Sequence, residues 1–78
     1  MRVTVYYFAV LREHSGQREE SIELLSGTSV STLYQRLFAG EKEGALPVMF
    51  AVNREYVEPH HVLQDGDEVA FIPPLGGG

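Results

Sequence analysis

Apolar and polar positions alternate with period two at the start of the chain. Val3, Val5 and Tyr7 take one side and Thr4, Tyr6 and Phe8 the other, which predicts a strand over 2–8. Ala9-Val10-Leu11-Arg12-Glu13-His14 reads as a short helical turn, stopped at Gly16 as a left-handed cap. Alternation returns in Glu20-Ser21-Ile22-Glu23-Leu24, so a second strand is expected, antiparallel to the first. Ser26-Gly27 is a turn. Ser29 is a good N-cap for a helix whose apolar positions are Val30, Leu33, Tyr34, Leu37 and Phe38, a pattern that fades at Ala39-Gly40. Beyond the polar loop Glu41-Lys42-Glu43-Gly44, the apolar run Val48–Val52 predicts a buried strand. Asn53-Arg54-Glu55 then turns into a short strand around Tyr56 and Val57. Pro59-His60-His61 is loop, Asp65-Gly66-Asp67 a tight turn, and Glu68–Ile72 the closing strand.

The resulting order, β-β-α-β-β-β, predicts an α+β domain: a mixed sheet of about five strands packed on one main helix. One helix covers one face of a sheet. If Val5, Tyr7, Val69 and Phe71 face the helix, then Tyr6, Phe8, Ala70 and Ile72 face away, with Tyr56 joining them. An uncovered aromatic and aliphatic face of this kind suggests a protein interface.

Composition narrows the function classes. Seventy-eight residues make one small domain, burying about 60% of its extended surface. Cysteine is absent, which removes disulfides, thiolate metal sites and a nucleophilic thiol. No signal peptide or membrane span is expected, and a cytoplasmic setting fits. The net charge of −5 argues against nucleic acid as a partner. After Arg54 the charged residues are Glu55, Glu58, Asp65, Asp67 and Glu68, with no Lys or Arg. That third of the molecule is expected to be wholly acidic and to steer toward a basic partner.

Catalytic and cofactor motifs are missing. His60 and His61 point to opposite sides if extended, so no metal site is expected. Asp65, Asp67 and Glu68 lack the spacing of a calcium loop, and no nucleophile elbow, phosphate loop or dinucleotide fingerprint occurs. What remains is the tail. Pro73 and Pro74 lack backbone N–H groups and have fixed φ, so they end the closing strand in a short stiff stalk. Leu75, Gly76, Gly77 and Gly78 follow. Three bare glycines are thin enough to thread a channel, although a frayed terminus has the same composition. The chain therefore divides into a domain over 1–72 and a flexible stalk and tail over 73–78. If the tail is functional, its reactive group is the α-carboxylate of Gly78, inert until activated. Without cysteine, the chain cannot carry sulfur as a persulfide.

Phe8-Ala9-Val10-Leu11-Arg12-Glu13-His14-Ser15-Gly16 resembles the F-A-x-x-R-E-x-x-G segment of the small subunits of molybdopterin synthase, the MoaD family. Ala51-Val52-Asn53, Tyr56-Val57 and the run Leu63–Pro74 look like the C-terminal half of that family, so the resemblance covers nearly the whole chain. It implies a ubiquitin-like β-grasp fold and a sulfur carrier that is not catalytic alone. Gly78, preceded by Gly77, would be adenylated by a separate ATP-dependent activating enzyme and converted to a thiocarboxylate. Its sulfur would pass to precursor Z, cyclic pyranopterin monophosphate, in the active site of a large subunit. No cofactor would be bound by the chain itself. The implied partner contacts are Phe8, Arg12, Tyr56, Ile72, Pro73, Pro74, Leu75 and Gly76, in a heterotetramer of two small and two large subunits. A thiamine-pathway sulfur carrier and a ubiquitin-like protein modifier are the alternatives. Gly76 departs from the Ser, Ala or Thr of many relatives, and the extra glycine raises the ordering cost by up to about 1 kcal/mol.

Overall fold

The computed structural model describes residues 1–7, 18–38 and 48–72. Period-two alternation settles the first element. Val3, Val5 and Tyr7 are buried while their neighbours are not, and they belong to strand β1, Arg2–Tyr7. Strand β2, Glu19–Glu23, pairs antiparallel with it, starting one residue before the expected Glu20. The Tyr7 hydroxyl donates to Glu20 Oε1 at 2.8 Å. Burial, with Glu20's hydrogen bond and charge added, pushes that phenol well above its ordinary range.

Helix α1, Val30–Leu37, starts where the sequence places its cap. Ser29 Oγ accepts from the Thr32 amide at 3.1 Å, and the Val30 and Ser31 amides donate to the carbonyls of His61 and Pro59. The 59–61 loop thus satisfies first-turn amides that the helix itself cannot. Val30, Leu33 and Tyr34 form the buried stripe.

Strands β3 (Met49–Val52), β4 (Glu55–Val57) and β5 (Glu68–Ile72) complete a five-stranded sheet in the order β2-β1-β5-β3-β4. β1 and β5 are parallel, and the remaining neighbours are antiparallel. This is the ubiquitin-like β-grasp arrangement, with the first and last strands side by side at its centre. Gly66, at φ 88°, makes the turn into β5.

The core lies between α1 and one face of the sheet. Val3, Val5, Tyr7, Val69 and Phe71 meet Val30, Leu33, Tyr34 and Phe38 there. Phe71 sits edge-on to Tyr34, Phe50 and Phe38, with ring centroids 5.0, 5.8 and 6.3 Å away.

One expectation fails in part. The run Val48–Val52 is not buried throughout: Ala51 and Val52 are, Val48 and Phe50 are half-buried, and Met49 is 49% exposed. Met49 pairs with Ile72 and shares its outward face, whereas Phe50 and Val52 pair with Phe71 and Val69 on the helix side. The helical turn expected at 9–14, its cap at Gly16 and the loop at 41–44 lie outside the described residues.

Candidate docking face

Residues paired across a β-ladder point to the same side of the sheet. The register therefore assembles the surface opposite α1. Tyr6 pairs with Ala70, Ala70 with Ala51, Ala51 with Tyr56, and Met49 with Ile72. Toward β2 the same face turns polar. There Arg2 bonds Ser21 Oγ at 3.1 Å and Glu23 Oε1 at 2.9 Å, an exposed pair of little energetic weight.

Over β5, β3 and β4 the face forms a concavity of about 470 Å³. Ala51, Ala70 and Ile72 give it apolar surface, Tyr6 and Tyr56 aromatic rings, and Arg54 and Glu68 opposite charges. Glu68's carboxylate, followed by desolvation and by Glu19, pushes the Tyr6 phenol up; Arg54 acts in the other direction.

The β3–β4 turn holds one wall in place. Asn53 and Arg54 form a two-residue loop with φ values of 52° and 72°, the left-handed pair of a type I′ hairpin. Asn53 Nδ2 donates to Asp67 Oδ1 at 2.9 Å, and its Oδ1 accepts from the Glu68 amide at 3.0 Å. The Asn53 amide donates to the Glu68 carbonyl at 2.8 Å. One side chain thus ties the hairpin to the start of β5.

Two of the acids of the acidic third are engaged within the fold. Asp67 is buried and accepts from Asn53 and from the Gln64 amide at 2.8 Å. Asp65 Oδ1 accepts from the Arg2 amide at 2.8 Å. Both carboxylates stabilise turns, and Arg54 places positive charge on the concavity.

Of the contacts expected from the sequence, Tyr56 (66% exposed) and half-buried Ile72 lie on this face as anticipated. Phe8, Arg12, Pro73, Pro74, Leu75, Gly76, Gly77 and Gly78 lie outside the described residues. Met49, Ala51, Arg54 and Glu68 belong to the face and were not anticipated. The two-residue turn carried the missing signal: it fixes Val52 opposite Glu55, and hence Ala51 opposite Tyr56. Among the described residues, no cluster of three or more His, Asp or Glu is placed to hold a metal ion, and no helix is long and apolar enough to cross a membrane.

The ThiS family matches residues 5–78, almost the entire chain. The chain belongs to the ThiS family. Within it, the molybdopterin synthase sulfur carrier subunit of Chlamydomonas reinhardtii is 41% identical, with the whole of each chain covered. In structure, a Pyrococcus furiosus protein described as a molybdopterin converting factor subunit 1 superposes with a TM-score of 0.83. It is 35% identical, over 96% of this chain and 99% of its own. A solved complex of subunits 1 and 2 of the molybdopterin-converting factor from Helicobacter pylori also matches. Its similarity to this ThiS-family chain has a TM-score of 0.64 at 25% identity, with both chains fully covered.

Proposed function

We infer that this protein is the sulfur carrier subunit of a molybdopterin synthase, as its full-length relatives are. The observation that carries the reading is the concave aromatic face at Ile72, the residue from which the glycine tail departs. No described element of the chain covers it. A partner seated there receives the tail at a fixed place, which is what delivery of a terminal group requires.

The chemistry belongs to Gly78. Attack of its α-carboxylate on ATP, in a separate activating enzyme, releases pyrophosphate and forms an acyl-adenylate. Sulfur from a donor then displaces AMP and leaves a thiocarboxylate. Gly76 and Gly77 carry no side chains, so the tip passes through a narrow channel into the large subunit. There sulfur is transferred to precursor Z, with water hydrolysing the acyl–sulfur bond so that the carboxylate is regenerated. The working assembly is two small and two large subunits in the cytoplasm.

Intact mass after incubation with the activating enzyme, ATP and a sulfur donor tests this. One oxygen-to-sulfur exchange is expected, lost on deletion of Gly77-Gly78 together with pterin dithiolene formation, while the domain stays folded. A ladder of conjugates without sulfur gain would favour the protein-modifier reading. No mass change at all would overturn both.

A further inference from the structure

Arg54 is an unusual residue for its position. Asn53 is suited to the first left-handed site of a type I′ turn, but glycine is preferred at the second, and Arg54 holds it at φ 72°. Strained backbone kept by a large charged side chain is a pointer to use rather than to packing. Packing offers no reason here: Arg54 is exposed. Among the described residues no hydrogen bond or ion pair engages its guanidinium, although Glu55 is its neighbour in the chain and Glu68 lines the same concavity. Its position supplies the reason, because it is the cation of the concavity beside Tyr6 and Tyr56.

We propose that Arg54 determines docking specificity by taking a carboxylate of the large synthase subunit, next to an apolar side chain seated between Tyr6 and Tyr56. The proposal rests on the reading that this face meets the large subunit. A partner presenting only basic groups to the acidic third would bury Arg54 against like charge, which costs binding strongly. A surface that closes this concavity therefore needs an anion at Arg54. Guanidinium and carboxylate match as a bidentate pair, so the contact fixes register as well as charge. Glu68, with opposite sign on the same concavity, rejects a partner docked in the reversed orientation.

The test measures Kd of the full-length protein for its cognate large subunit. The variants are Arg54→Gln, Arg54→Glu, Arg54→Gly and, as a control for the face itself, Ile72→Asp. Arg54→Gln is expected to lose about 10-fold, and Arg54→Glu about 100-fold or more. Arg54→Gly should bind as weakly as Arg54→Gln yet melt about 2–5 °C higher, since glycine relieves the left-handed backbone. A structural role cannot give that opposition of affinity and stability. An Asp/Glu→Lys change on the large subunit is expected to restore binding to Arg54→Glu. Arg54→Gln and Arg54→Glu binding within twofold of the natural protein, while Ile72→Asp loses affinity, would overturn the role of Arg54 and leave the docking face intact. Unchanged binding by Ile72→Asp would overturn the docking face, and the proposal with it.

Discussion

Phe71 and Ile72 are consecutive residues of β5, yet they live in different solvents. Phe71 is fully buried among Tyr34, Phe38 and Phe50, whereas Ile72 is half-buried in a concavity open to water. The backbone treats the two alike, since both sit in the same ladders with β3. What separates them is which side of the pleat their side chains take, and that, among the described residues, helix α1 covers one side of the sheet and nothing covers the other. A sheet covered on one face divides its apolar residues into those that hold the fold and those available to a partner. Stability and recognition are therefore written into alternate positions of the same strands, where each can be changed with little effect on the other.

The sharpest way to break this division is at Phe71. Phe71→Ala should cost about 3–5 kcal/mol of stability, enough to leave a small domain largely unfolded, as urea unfolding will show. A cost below about 1 kcal/mol would mean the aromatic cluster does not carry the core. A weaker effect is expected at alkaline pH. The phenols of Tyr7 and Tyr34 are raised in the folded state by burial, with Glu20 adding to the shift at Tyr7. An acid whose folded pKa is raised keeps its contribution below the unfolded value of 10.0 and loses it as pH climbs beyond. The urea midpoint should thus hold steady from pH 7 to 9 and fall above 10, less steeply in Tyr7→Phe. A flat profile to pH 11 would show that these phenols are not sealed. The smallest effect belongs to the open face: Tyr56→Ala should change stability by no more than about 0.5 kcal/mol while weakening the large-subunit complex. Strong destabilisation there would put Tyr56 in the core and erase the comparison.

Much of this plan is legible in the residues. Val3, Val5 and Tyr7 against Thr4 and Tyr6 give β1 and its buried side, Ser29 gives the start of α1, and Asp65-Gly66 gives the turn into β5. The uncovered face follows by subtraction. Two things are not legible, for a common reason. Met49 sits in an apolar run, and a run without alternation does not say which members face in; only its pairing with Ile72 decides. Asp67 looks like one more surface acid, and only the fold brings Asn53 across to pair with it. Local pattern reports the chain's own geometry, but register and long-range polar partners depend on elements distant in sequence.

The parallel pairing of β1 with β5 has a consequence for how the protein is made. The strand at the middle of the sheet is the last of the described strands to be synthesised, and β1 has no central neighbour until it arrives. A nascent chain can form its first hairpin and its helix early, but it cannot close the sheet before Ile72 has been translated. A chain interrupted before β5 lacks the centre of the domain and is exposed to proteolysis. Closure of the sheet thus waits for the last strand of the domain, and the glycines follow it in the chain.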